Sequence, residues 1–363
     1  MTDSLVSELI CSLESGNPPD SHMLEYFLQH SCLEEREIVR KKSLQKRREI
    51  FGNKIYIRGL LEFTSFCKND CYYCGLRKTK NQNRYRLSPD QIIQCCKNAY
   101  RAGFRTFVLQ GGEDLGFSDH LLCNTVYSIK ENMPDCAITL SVGERPDHIY
   151  RDFFSAGAER YLLRHETADS LHYSRLHPKH QLFESRMRCL NSLKEIGFQT
   201  GAGFMVGSPG QTAAHIVKDI QFIQRFDPAM TGIGPFIPAT GTPFAAERAG
   251  SAQLTALILS IIRIMKPKML LPSTTAMATA ESQSSSESGH RTGIMAGANV
   301  IMPNISPYHA RKNYLLYDGK KSNGSESFGG LNELKNEINS LGFTIPVSRG
   351  DHPDFIEEAG KYK

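Results

Sequence analysis

The sequence predicts an α/β protein built as a (β/α)8 barrel. Three observations carry that expectation: eight short apolar runs suited to strands, helix-period segments between most of them, and a span over 51–303 that matches the ~250 residues typical of such a barrel. The 363-residue chain is 40% hydrophobic and 22% charged, a globular balance that excludes wholesale disorder. Its formal net charge of +5 is too mild for the concentrated basic stripe of a nucleic-acid binder.

The elements follow in order. Residues 1–50 read as a helical lead, with Leu24, Phe27 and Leu28 on one face and a basic run, Arg36 to Arg48, as a solvated one. Strands are expected near 57–63, 105–110, 137–142, 159–164, 199–206, 230–236, 269–276 and 298–302. The first helix between them has Ser88 as N-cap, Pro89 at the first helical position, Gln91 closing a capping box and Gly103 just past its end. Ile92, Ile93, Cys96, Ala99 and Tyr100 keep its apolar period, and Phe183, Met187 and Leu190 do so further on. The Ser-rich stretch 281–290 is expected as a flexible loop, and 304–363 as a tail with a Ser/Gly-rich loop (322–330) and one helix (331–341). An open doubly wound sheet is the rival arrangement, but no GxGxxG follows the first strand.

Membrane insertion and export are disfavoured. The most apolar stretch, Leu254 to Met265, holds 12 residues including Arg263, short of the ~20 a bilayer span needs. Asp3 and Glu8 replace the basic start of a signal peptide. Ten cysteines without an export signal then suggest reduced thiols or metal ligands, and so a cytoplasmic protein.

Three cysteines sit together in FCKNDCYYCG: Cys67, Cys71 and Cys74, directly after the first expected strand. Thiolates this dense favour a soft or borderline metal. Structural zinc normally takes four ligands, and the nearest histidines in sequence, His30 and His120, lie far from the loop. Three cysteines on a four-iron cubane leave one iron open to a small ligand; zinc completed by a distant residue is the bland alternative. The loop follows the C-terminal end of a strand, where barrel active sites are built.

CxxxCxxC with an aromatic, Tyr73, before the last cysteine resembles the radical S-adenosylmethionine (radical SAM) superfamily. Gly111, Gly112 and Glu113 resemble its GGE motif. The segments IRGLLEFTSFCKNDCYYCGLRK, LRHETA (163–168), TGAGFMVGSPGQT (200–212), GIGPFIP (232–238), STTAM (273–277) and GANVIMPN (297–304) are similar to those of the HydE-type FeFe-hydrogenase maturases. That resemblance implies a TIM barrel of the radical SAM type, with N-terminal helices and a closing C-terminal segment. It implies one 4Fe-4S cluster on Cys67, Cys71 and Cys74, with S-adenosyl-L-methionine on its open iron. It places Tyr73, Gly111, Gly112, Glu113, Glu166 and Arg186 at the cofactor, and Arg164, Thr274, Thr275, Met277 and Tyr308 at the substrate. The implied substrate is a small cysteine-containing iron species bearing CO and cyanide. The implied partners are a ferredoxin or flavodoxin electron donor and other hydrogenase maturases, with no nucleic acid or membrane. No cysteine occurs after Cys189, so the second cluster that some family members carry is not expected. Methylornithine synthase and biotin synthase are the nearest alternatives within the superfamily; an iron–sulfur carrier without turnover is the alternative outside enzymology.

Overall fold

In the computed structural model, which describes residues 2–16, 19–282, 289–320 and 326–356, the chain begins with three helices: α1 (Thr2–Glu14), α2 (Ser21–His30) and α3 (Leu33–Phe51). Strands β1 (Tyr56–Ile57) and β2 (Gly59–Thr64) flank Arg58. Strand and helix then alternate: α4 (Pro89–Arg101), β3 (Thr106–Gly111), α5 (Asp119–Asn132), β4 (Ala137–Ser141), α6 (Asp147–Ser155) and β5 (Arg160–Leu162). Two helices, α7 (Ser170–Leu176) and α8 (Phe183–Ile196), precede β6 (Gln199–Val206); α9 (Ala213–Phe226) and β7 (Met230–Pro235) follow. Then come α10 (Ala252–Met265), α11 (Thr275–Ser282), α12 (Gly289–Met295), β8 (Val300–Ile301), α13 (Tyr308–Arg311) and α14 (Leu331–Ser340).

Strands β2 to β7 form one parallel sheet in sequence order, the α/β alternation expected. Every residue of β2, β6 and β7 is buried, as strands covered on both faces require. The ends of the expected ring differ from a regular ladder. Strand β1 pairs with β8 as a separate parallel pair, and 269–276 forms no strand, only single parallel bridges from Leu270 to Met230 and from Pro272 to Val300. Pro272 has no N–H to give a ladder, which interrupts the expected strand. A further bridge links Leu60 to Asn304.

Local signals hold where both partners are close in sequence. Gln91 N donates to Ser88 Oγ (3.3 Å) and Ser88 N to Gln91 Oε1 (2.9 Å), forming the capping box. The basic run is not wholly a solvated face: Arg47 is fully buried. It donates to the carbonyls of Ala298 (3.1 Å), Gly52 (3.0 Å) and Lys54 (2.6 Å), tying the lead to the segment before β8. Most of the 281–290 loop and part of 322–330 lie outside the described residues. No helix among those described is long and apolar enough to cross a membrane.

Candidate active site

The C-terminal ends of β2 to β7 surround a cavity of ≈ 280 Å³. The loop after β2 contributes Cys67, Cys71, Tyr73 and Cys74; the end of β3 contributes Gly111, Gly112 and Glu113. Arg164 and Glu166 come from the end of β5 and Arg186 from α8. Leu162, Met205, Phe236 and Ile237 supply apolar wall.

The cysteine loop lies directly on the glycine pair. A Cβ on Gly112 would stand 2.2 Å from the Phe66 carbonyl oxygen and 2.6 Å from Cys67 Cβ, so only glycine permits this approach. Lys68 N donates to the Glu113 carbonyl (2.9 Å), locking loop to strand end. Cys74 N donates to Cys71 O (3.3 Å) and Leu76 N to Cys74 Sγ (3.4 Å), folding the loop back on itself. Gln181 Oε1 lies 3.3 Å from Cys71 Sγ.

Burial, and then the neighbouring thiols, push the Cys71 ionisation up, and burial followed by Cys67 pushes Cys74 to about 12. Burial likewise raises Cys67. Thiols so placed ionise together only with a compensating cation among them, which is what an iron–sulfur cluster provides. Three thiols from one short loop suit a cluster that leaves one iron open better than a structural zinc, which normally takes four ligands.

The acidic and basic groups are held from behind. Glu113 Oε1 accepts from Glu144 N (3.2 Å), and its Oε2 lies 3.0 Å from Lys68 Nζ. Arg186 is 7% exposed; it donates to Glu144 Oε1 (2.7 Å) and to the Arg164 carbonyl. Burial works against its charge, but Tyr173 and Glu144 raise its pKa well above the ordinary value. Arg164 Nη2 and Glu166 Oε2 form an ion pair at 3.1 Å, and Arg164 Nε is buried without a hydrogen-bond partner. An unpaired buried N–H in a cavity wall suits a polar ligand. The Tyr73 hydroxyl lies 3.3 Å from His177 Nε2, beside the thiols.

The other expected substrate residues stand apart from this cavity. Thr274 Oγ1 donates to Ile233 O (3.3 Å) and Thr275 Oγ1 to Glu326 Oε2 (3.0 Å). Met277 is fully buried in the hydrophobic core, and Tyr308 is 58% exposed. In that quarter the wall is Ala276 with Tyr314, Leu316 and Tyr317 from the tail. Sequence reasoning missed this aromatic segment; the apolar island NYLLY inside a polar tail is the signal that could have found it.

A thiol-lined mouth at the strand ends of a parallel α/β fold is compatible with the radical S-adenosylmethionine class, and residues 61–223 match the family model described as Radical SAM superfamily. The FeFe hydrogenase maturase subunit HydE of Thermotoga maritima is 42% identical over 285 residues, covering 78% of this chain and 80% of that protein. The chain belongs to the radical SAM superfamily and, within it, to the HydE family. A 3-methylornithine synthase of Methanosarcina acetivorans is 28% identical over 74% of this chain and 75% of its own. In fold, a crystal structure of methylornithine synthase superposes with a TM-score of 0.81 at 23% identity, over 96% of this chain and 99% of that one. Membership implies a 4Fe-4S cluster and S-adenosylmethionine as cofactors.

Proposed function

We propose that this enzyme acts on a small cysteine-containing iron species bearing CO and cyanide, in assembly of the FeFe-hydrogenase H-cluster. The observation that carries the reading is convergence: three thiols, the Gly112–Glu113 cradle, Glu166 and Arg186 line one cavity at the strand ends. A single 4Fe-4S cluster on Cys67, Cys71 and Cys74, when reduced, supplies the electron that splits S-adenosylmethionine into methionine and a 5′-deoxyadenosyl radical. Glu113 receives the methionine ammonium, Arg186 its carboxylate, Glu166 the ribose, and Tyr73 flanks the adenine. Charge-assisted contacts of this kind fix orientation as well as affinity. Arg164, in the cavity wall, serves an anionic substrate; Thr274, Thr275 and Met277 flank the wall residue Ala276 in sequence, and Tyr308 stands outside the wall. The apolar wall keeps water from the radical.

The isolated bridges at Leu270, Pro272 and Leu60, with the β1–β8 pair, support closure of the strands into a barrel. On that reading 1–50 is the helical lead, 51–303 the barrel and 304–363 the closing tail. A ferredoxin or flavodoxin supplies electrons in the cytoplasm, and other hydrogenase maturases provide and receive the iron species.

Anaerobic reconstitution with iron and sulfide, then dithionite and S-adenosylmethionine, tests the chemistry. The expected product is 5′-deoxyadenosine; an intact cluster without product rejects the reading. Cys71→Ser abolishes both cluster absorbance and cleavage. Activation of apo-hydrogenase in the presence of the other maturases tests the substrate. A methylornithine synthase-type reaction, favoured by the Methanosarcina similarity, would instead leave hydrogenase inactive.

A further inference from the structure

Among the described residues two that are not glycine have a left-handed backbone: Asp227, at a helix C-cap, and Glu166, at φ 66° in the cavity wall. A glutamate in that conformation costs free energy, and it persists only where its surroundings over-determine it.

The determinants lie behind the wall, away from the cavity. Glu166 N donates to the Gly203 carbonyl (3.0 Å), and Gly203 N donates back to His165 Nδ1 (3.3 Å). With Nδ1 accepting, the proton of a neutral His165 ring resides on Nε2. That nitrogen packs 3.3 Å from Asp219 Oδ1 without hydrogen-bond geometry, while the same Oδ1 accepts the Ala168 N–H at 2.5 Å. Asp219, from α9, thus holds the chain by a hydrogen bond at 168 and packs against it at 165, on the two sides of Glu166. His165 and Asp219 are both fully buried, and the imidazole packs 4.5 Å from the Phe222 ring. Burial lowers the His165 pKa and raises that of Asp219, so the two form a neutral brace rather than an ion pair.

We propose that Asp219 and His165 are positioning residues that hold Glu166 in its left-handed conformation, so that its carboxylate is pre-set for the ribose hydroxyls of the bound nucleoside. This rests on the reading of Glu166 as the ribose ligand, and the test separates the two. The Oδ2 of Asp219 takes no partner, so Asp219→Asn keeps the accepting Oδ1 and is nearly isosteric with the neutral acid. Asp219→Leu keeps the bulk and removes the acceptor.

The experiment measures binding of S-adenosylmethionine by equilibrium dialysis to the reconstituted enzyme, with 5′-deoxyadenosine and methionine as competitors. Asp219→Leu is expected to weaken S-adenosylmethionine and 5′-deoxyadenosine about tenfold while methionine is unchanged. Asp219→Asn is expected to stay within about twofold of wild type. Glu166→Gln should lose affinity, and the double variant Asp219→Leu/Glu166→Gln should bind no more weakly than the weaker single, because both act through one contact. Nucleoside affinity unchanged in Asp219→Leu but lost in Glu166→Gln overturns the positioning role and leaves the Glu166 reading standing. Full affinity in Glu166→Gln overturns that reading and the proposal with it. Equal loss for methionine and 5′-deoxyadenosine also overturns it, since a general packing role does not discriminate between them. If Asp219→Leu does not fold, His165→Phe, which keeps the ring and removes both nitrogens, is judged by the same outcomes.

Discussion

Gly75 and Leu316 join the two ends of the site: the Gly75 N–H donates to the Leu316 carbonyl at 2.8 Å. The cysteine loop and the closing tail, far apart in sequence, therefore share a backbone hydrogen bond at the cavity. A Cβ on Gly75 would stand 2.0 Å from the Leu315 carbonyl oxygen, so the contact is possible only with glycine. Gly75→Ala is expected to break the bond, a loss of about 1 kcal/mol, and to displace the tail. The check is air bleaching of the cluster's visible absorbance, expected several-fold faster than in wild type with similar initial iron content.

The tail is anchored further along by charge. Lys320 Nζ contacts Glu62 Oε1, and Asn304 Nδ2 donates to Glu62 Oε2 at 2.7 Å. The side chains of Glu62 and Lys320 are 0% and 6% exposed. Removing one member strands a buried charge, so Lys320→Met should cost about 3–5 kcal/mol in denaturant unfolding. The double variant Glu62→Gln/Lys320→Met should regain most of that loss; equal instability of single and double variants would reject the pairing as the cause.

Gly112→Ala tests the cradle. Its methyl would push Cys67 and the Phe66 carbonyl away from the end of β3. Iron retained after reconstitution and desalting should fall well below wild type while the far-ultraviolet circular dichroism is unchanged. Full iron content would show that the loop moves without cost.

Asp351 ties the tail to the opposite, N-terminal end of the sheet. Burial opposes ionisation of its carboxyl, but Arg160, at 2.6 Å, and Arg349 hold its pKa well below the ordinary carboxylate value. A depressed carboxyl contributes stability that is present above its unfolded pKa and lost as pH falls through the folded one. Asp351→Asn should therefore cost about 3 kcal/mol at neutral pH, because Arg160 is buried. That gap should narrow progressively below about pH 4, the unfolded value. A gap that stays constant down to acid unfolding would show the pair to be neutral in effect.

What could be read from the chain was local. Ser88 and Gln91 are three residues apart, so their capping box needs nothing beyond the helix they start. The three thiols share one loop, and the GGE residues follow one another, so their chemistry was legible before any fold. The apolar run ending in Leu270 and Leu271 read as a strand because apolar pattern alone does not register Pro272 as a missing donor. Arg47 sat in a basic run like its neighbours, and its burial depends on carbonyls near position 298, far along the chain.

The sequence by itself determined the class of chemistry, the parallel α/β order and the family, because spacing and alternation act over a few residues. Only the tertiary structure decided which side chains meet. It brought Tyr314 and Leu316 to the cavity wall, left Tyr308 exposed, and set Asp219 behind Glu166. The physical reason is that these contacts join chain segments many residues apart. Burial and hydrogen-bond satisfaction in the folded state select such partners, and no local periodicity encodes them.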